Sequence, residues 1–129
     1  METLSRLIDT RAPIASDTPC GDVAAMFDAE PTLAAIAVAE AGAPVGLVYR
    51  DVFQGMMRVA DLVARPIGEV MDATPRIVQA DTDPSAFVNQ LANSPTPVFR
   101  SAYLAVDAAG GYVGVGGLAS LPVSYTHLT

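Results

Sequence analysis

The sequence predicts a small α/β (α+β) fold that is built from two similar units. The segment Ile14–Thr18 resembles Val78–Thr82 in the second half of the chain, and an amphipathic run follows each segment. The segment Pro44–Val48 resembles Tyr112–Gly116 in the same way, at nearly the same interval along the chain. Both copies have the same predicted order, strand–helix–strand–strand–helix, and such internal repetition indicates two related units.

The first copy contains each element of this order. Val23, Met26 and Phe27 recur at helical spacing and predict a helix that ends near Glu30 and Pro31. Asp17 precedes this run and is expected to cap the helix. The apolar runs that follow predict strands at 33–39 and 45–49 joined by a turn at 41–44, a short helix at 50–57 and a linker at 58–66.

The second copy repeats the pattern. Phe87, Val88 and Leu91 mark the apolar face of its helix, with Asp81 as the expected cap. The other predicted elements are a helical turn at 67–71, strands at 75–79, 102–106 and 112–115, and a loop at 93–97. One copy of about 60 residues buries too little surface to be stable alone, so we expect the copies to pack as a pseudo-two-fold pair. The expected core comprises Val23, Phe27, Ile36, Val38, Leu47, Phe87, Leu91, Leu104 and Val113.

Composition excludes several classes of function. The chain has 129 residues and a net charge of −7, and all seven basic residues are arginine. The lack of lysine excludes a P-loop lysine, a Schiff-base lysine and a polybasic nucleic-acid patch. Because Cys20 and His127 are the only residues of their types, a disulfide framework and a Cys/His zinc site are excluded as well. We therefore expect no cofactor, no metal and no nucleic-acid partner.

The distribution of apolar residues indicates a cytoplasmic protein. The N-terminus is acidic and lacks the apolar segment of a signal peptide. The most apolar stretch, 32–49, is interrupted by Glu40, Gly42 and Pro44, so a membrane span is not expected. A single cysteine is typical of a reducing compartment.

Two segments resemble a known family. The segment Val70–Thr82 is similar to the opening of a CBS domain, and Pro44–Val48 is similar to the end of a CBS hairpin. Because both copies carry the resemblance, the chain resembles a tandem CBS pair, or Bateman module. The resemblance implies CBS-like repeats at 1–64 and 65–121, and an off-pattern tail at 122–129.

A narrower resemblance points to bacterial signalling. The segment Gly46–Arg50 followed by Phe53, together with Gly111–Gly116, is similar to the regulatory region that precedes GGDEF and EAL domains. This implies a non-catalytic sensor that controls an attached or partner domain in signal transduction, with cyclic-di-GMP signalling as one setting. The resemblance to CBS pairs, whose members commonly form dimers, implies a homodimer, and we expect it to bury part of an apolar surface made by Phe53, Met56, Met57 and Leu62. The alternatives are a structural homodimerisation domain with a degenerate ligand site and, less favoured, a small α/β enzyme.

The nucleotide motif of CBS pairs is incomplete here. Members that bind adenosine nucleotides carry a Gly-apolar-x-Ser/Thr-x-x-Asp segment, in which the hydroxyl contacts phosphate and the carboxylate contacts ribose. Tyr49 and Val52 stand at those two positions in the first copy, and Gly117 and Ser120 in the second. Losing the carboxylate removes charge-assisted hydrogen bonds, so we expect no ATP or AMP binding tighter than about millimolar.

We still expect the cleft between the repeats to bind a small molecule, which could be a nucleotide. The side chains expected to line it are Tyr49, Arg50, Asp51, Thr74, Arg76 and Ser120. In the competing interpretation, Arg50 and Arg76 are solvated surface charges and Tyr49 serves only packing.

Overall fold

Three helices and six strands make up the part of the chain that the computed structural model describes, residues 3–92 and 102–117. The helices are α1 Cys20–Ala29, α2 Arg50–Val59 and α3 Pro84–Ala92, and 3-10 turns lie at Leu4–Arg6 and Ile67–Glu69. The strands are β1 Ile8–Asp9, β2 Ala35–Glu40, β3 Ala43–Tyr49, β4 Ile77–Gln79, β5 Ala102–Val106 and β6 Tyr112–Gly117. The predicted small α+β class is confirmed, while the expected loop at 93–97 and the tail at 122–129 lie outside the described residues.

The strands form two sheets with the same pattern of pairing. One sheet has the order β1-β6-β5-β4, in which β4 is parallel to β5 and β1 is antiparallel to β6. The other sheet consists of the antiparallel hairpin β2-β3. A parallel bridge from Ile14 to Val38 and an antiparallel bridge from Leu47 to Asp72 extend this hairpin. Each hairpin therefore has a parallel neighbour on one side and an antiparallel neighbour on the other.

Two short segments pack against the half of the chain that is distant in sequence. Leu4 lies in a buried cluster with Phe87 and Tyr103, and β1 joins the sheet of β5 and β6. Conversely, Ile67 packs with α1 in a cluster that includes Val23. The packed halves thus exchange their first segments. The boundaries 1–64 and 65–121 stay a prediction about the sequence repeats.

The two sheets meet through small side chains. Ala35, Ala37 and Leu47 of the hairpin share a buried cluster with Ala102 and Leu104 of β5. Alanine at these positions lets the strands of the two sheets approach closely. Among the residues expected in the core, Leu91 and Val113 are half-buried, and the other seven are buried.

The start of α1 shows why one expected cap is wrong. Asp17 is exposed, and the residue that caps α1 makes no side-chain hydrogen bond. The N–H of Cys20 donates instead to the carbonyl of Arg65 at 2.8 Å, and that of Gly21 donates to the carbonyl of Val63 at 2.9 Å. Backbone from a distant segment therefore satisfies donors that a helix start otherwise leaves to a side chain.

The cap of α3 is a different aspartate from the expected Asp81. The carboxylate of Asp83 accepts a hydrogen bond from the N–H of Ala86 at 3.1 Å and another from the hydroxyl of Ser85. These bonds, the one from Ser85 above all, lower the pKa of Asp83. The cap lies two positions later than expected because α3 begins at Pro84, a residue favoured in a first helical turn.

The repeated glycine of the two hairpins has a steric cause. A Cβ on Gly46 would overlap the Sδ of Met71, and one on Gly114 would lie 2.6 Å from the carbonyl oxygen of Asp9. In each half, the antiparallel neighbour lies close against the hairpin at this point. Glycine leaves room for that approach without displacing the neighbouring segment.

Candidate functional site

A cleft of about 410 Å³ lies where the two halves of the chain meet. We call it the Arg11 cleft. Its walls come from the segment 7–12, from the turn and strand at 30–37, and from residues of β5 and β6. Backbone of Gly116 and Gly117 forms part of the wall. A molecule bound here would touch both halves at once, and the volume is in the usual range of small-ligand sites.

An ion pair dominates the polar surface of this cleft. The Nη2 of Arg11 donates to Oε1 of Glu30 at 2.8 Å, and Nη1 lies 2.7 Å from Oε2. The Nε lies 3.9 Å from Oδ2 of Asp9. The hydrogen bond to Glu30 is the largest cause that raises the pKa of Arg11. Both terminal nitrogens of the guanidinium are therefore engaged by one carboxylate in a bidentate pair.

The backbone around Arg11 is held by two further contacts. Its N–H donates to Oδ1 of Asp9 at 2.9 Å, and its carbonyl accepts the hydroxyl of Tyr112 at 2.6 Å. Burial raises the pKa of Tyr112, as does the nearby Asp9, while Arg11 lowers it. The tyrosine hydroxyl therefore stays protonated at neutral pH and keeps the segment at 9–12 attached to β6.

Arg50 positions the turn that carries Glu30. Its Nε donates to the carbonyl of Leu33 at 2.6 Å, and its Nη2 donates to the carbonyls of Phe27 and Glu30. The guanidinium carbon also lies 4.9 Å from the centroid of the Phe27 ring. Arg50 thus binds the carbonyl end of α1, where a helix favours a cation. It is not a solvated surface charge, and it does not line either cleft described here.

A second cleft, of about 330 Å³, lies at the start of α2. We call it the Tyr49 cleft, and segment 70–73 forms its other wall. Tyr49 is buried, and its hydroxyl donates to Oδ2 of Asp72 at 3.0 Å. The Oδ1 of Asp72 accepts the N–H of Thr74 at 3.0 Å and its hydroxyl at 3.3 Å. Val52 lines this cleft at the position where the nucleotide motif has a carboxylate.

The residues expected in one cleft are dispersed. Tyr49 lines the Tyr49 cleft. Thr74 does not line it, but its hydroxyl donates to Asp72, which does. Asp51 is exposed and Arg76 is half-buried, and neither lines a described cleft. Ser120 lies outside the described residues.

Sequence reasoning missed Arg11 and Glu30, and also missed the paired acids Asp9 and Asp72. A signal for the acids was present. Asp9 and Asp72 are separated by nearly the same interval as the repeated segments, and each accepts the N–H of the residue two positions later. This side-chain turn is typical of aspartate before a loop, and its repetition marks the edge of each cleft. Nothing local pairs Arg11 with Glu30, because 19 residues separate them.

The lone cysteine has no catalytic surroundings. Cys20 is fully buried, and that burial raises the pKa of its thiol, against the smaller effect of Arg65. A protonated, inaccessible thiol is a poor nucleophile. Within 3–92 and 102–117, acidic, cysteine and histidine side chains form no cluster that could hold a metal ion. Over the same residues, no helix has the length and apolarity to cross a bilayer.

Comparisons with known proteins identify the fold. No family model and no curated protein matches the chain. Among solved structures, a CBS domain-containing protein of unknown function from Bacillus anthracis matches with a TM-score of 0.74 and 11% identity, over 99% of this chain and 95% of that one. The CBS domain of a bacterial CNNM/CorC family Mg2+ transporter, in complex with ATP, matches with a TM-score of 0.72 and 16% identity, over 96% and 86%.

A third match is CBSX2 in complex with AMP, with a TM-score of 0.66 and 16% identity, over 94% of this chain and 93% of that one. All three structures carry the CBS fold, and each aligns over nearly the whole chain. Identities between 11% and 16% establish architecture alone. The chain therefore has the fold of the CBS-domain structures.

Proposed function

We propose that this chain is a non-catalytic regulatory module that binds a small molecule in the Arg11 cleft and controls an attached or partner domain. One observation carries the proposal: the cleft is built from both halves of the chain, so ligand binding and the relative position of the halves are coupled. The buried thiol of Cys20 supports a role without catalysis. ATP and AMP in two structures of the same fold support a small organic ligand.

The cellular setting belongs to the same proposal. A cytoplasmic location agrees with the single, unpaired cysteine. The resemblance to the region that precedes GGDEF and EAL domains supports a role in signal transduction, with cyclic-di-GMP signalling as the setting. The test is to express the chain together with a candidate attached or partner domain, and to measure whether ligand changes that domain's activity.

A ligand screen by thermal unfolding tests the binding function. The panel contains adenosine, AMP, ATP, cyclic di-GMP and S-adenosylmethionine. A ligand at 100 times its dissociation constant stabilises the folded state by about 2.7 kcal/mol. Ala34→Trp fills the cleft from an exposed lining position and should abolish the shift. Ala60→Trp, at an exposed position that lines neither cleft, should retain it. A shift that survives Ala34→Trp would contradict the proposed site.

The Tyr49 cleft is proposed not to bind ATP or AMP more tightly than about millimolar. Its tyrosine hydroxyl is committed to Asp72, and Val52 offers no acceptor for a ribose hydroxyl. Calorimetry with either nucleotide should show no saturable heat at low micromolar concentration. The double variant Tyr49→Thr, Val52→Asp restores the motif and should gain affinity by about tenfold to a hundredfold. No gain would mean that the cleft itself is closed to nucleotides.

A second candidate function, homodimerisation, rests on apolar exposure along α2 and the segment after it. Val52 and Val63 are each 57% exposed, and Val59 is 86% exposed. Phe53 does not belong to this surface, because its side chain is buried in the chain's own core. Sedimentation at high micromolar concentration should give a dimer, and Val59→Asp should shift it towards monomer. A monomer at that concentration would contradict this proposal.

A further inference from the structure

The guanidinium of Arg11 is the cationic group among the described residues that line the Arg11 cleft, and Asp9 and Glu30 are the acidic ones. Acidic groups therefore outnumber basic groups by one in that lining. The whole chain has a net charge of −7, so the wider field has the same sign. A phosphate that enters the cleft meets repulsion from two carboxylates, and the one arginine that could attract it is already paired.

The pairing occupies the end-on fork of the Arg11 guanidinium, which its two terminal nitrogens form. Glu30 faces both terminal nitrogens, at 2.8 and 2.7 Å, in the fork geometry that a phosphate would otherwise adopt. Asp9 lies beside the remaining Nε at 3.9 Å. Arg50 holds the carbonyl of Glu30, which keeps the carboxylate close to its partner. The ion pair is thus built into the wall of the cleft.

From these contacts we infer that Glu30 is a specificity-determining residue that excludes anionic ligands, and that the Arg11 cleft takes a neutral or cationic molecule of about nucleoside size. The inference rests on the proposed ligand-binding function and names its ligand class. It separates this chain from the neighbours of the same fold that are in complex with ATP and AMP.

The test is a gain of anion binding in Glu30→Gln, with AMP and pyrophosphate as probes. Glutamine keeps the size of the side chain and removes the charge that competes for Arg11. NMR titrations of the full chain measure dissociation constants into the millimolar range, with the amides of Gly116 and Gly117 as reporters. Removing a bidentate competitor and its repulsion should tighten AMP binding about tenfold.

Glu69→Gln is the matched control. Glu69 accepts a hydrogen bond from Nε of Arg65 at 2.8 Å and is 45% exposed, against 41% for Glu30, but it lies outside the cleft. The Glu69→Gln variant removes the same charge from the chain as Glu30→Gln does. Because that charge lies outside the cleft, the affinity of Glu69→Gln for AMP should stay within about twofold of the wild type. The double variant Arg11→Gln, Glu30→Gln should lose the gain, since the phosphate then has no guanidinium to bind.

Three results would overturn the inference: micromolar AMP binding by the wild type, a gain in Glu30→Gln no larger than in Glu69→Gln, or a gain that persists without Arg11. Asp9→Asn provides a second route if Glu30→Gln folds poorly, and its gain should be smaller because Asp9 lies beside Nε of the guanidinium, at 3.9 Å, and not beside its terminal nitrogens. The probes are anions, so these readings do not depend on finding the natural ligand. Failure of the ligand screen is therefore a separate result that bears on the proposed function alone.

Discussion

Replacing Arg50 with methionine should destabilise the fold more than any other single charge removal at a described arginine. The guanidinium donates to three carbonyls, those of Phe27, Glu30 and Leu33, and it lies over the Phe27 ring. A hydrogen bond from a charged donor contributes about 1.5–3 kcal/mol when buried. Because Arg50 is half-buried, water replaces part of each bond, and about 1 kcal/mol per bond is the appropriate value.

The expected loss is thus about 3 kcal/mol in the free energy of unfolding, with about 0.5 kcal/mol more from the aromatic contact. Methionine keeps most of the aliphatic stem, which isolates the polar contribution. Arg50→Lys should recover about one of the three bonds, because a single ammonium group cannot reach all three carbonyls at once. Urea unfolding followed by circular dichroism measures the differences.

Arg58→Met provides the control on the same helix. Arg58 is exposed in the last turn of α2, and its replacement changes the net charge equally. It should alter stability by less than about 0.5 kcal/mol. The reasoning is refuted if Arg50→Met differs from the wild type by no more than this control does, or if Arg50→Lys is as stable as arginine.

Two further predictions concern the interior. The hydroxyl of Tyr103 is buried and has no hydrogen-bond partner among the described residues, so Tyr103→Phe should leave stability unchanged or raise it by about 1 kcal/mol. Burial raises the pKa of Tyr103 from 10.0 to about 12, so the wild type should lose stability as pH rises through that interval, and the variant should not show this contribution. Unfolding at pH 7 and pH 11 tests both points, and a loss above about 1 kcal/mol at pH 7 would contradict the first. Gly114→Ala should cost about 2–3 kcal/mol because its Cβ meets the backbone of Asp9, whereas Gly46→Ala should cost less because Met71 can move aside. Equal losses would show that the backbone contact does not decide the difference.

Local patterns were sufficient for most of the secondary structure. The strand at Ala102–Val106 has the expected bounds, and α1 and α2 differ from expectation mainly at their ends. Such elements depend on side-chain period and turn residues within a short window, and both can be read from the chain. The repeat made the order of elements predictable, and the confirmed CBS fold follows from that order.

Fewer residues of the candidate site could be predicted from the sequence. Tyr49 was identified because it occupies a motif position, and it does line a cleft. The motif could not show that Arg50, the next residue, turns to the end of α1. It also gave no reason to notice Arg11 or Glu30, since their pairing depends on how a distant turn is oriented.

What the sequence by itself determined is the succession of helices and strands, because these elements arise from contacts between neighbours in the chain. Only the tertiary structure decided that β1 joins β6 and that Ile67 packs on α1. It also decided which charges meet in the clefts. Those choices follow from burying whole apolar faces together, and that free energy depends on the packed arrangement of both halves rather than on any local run of residues.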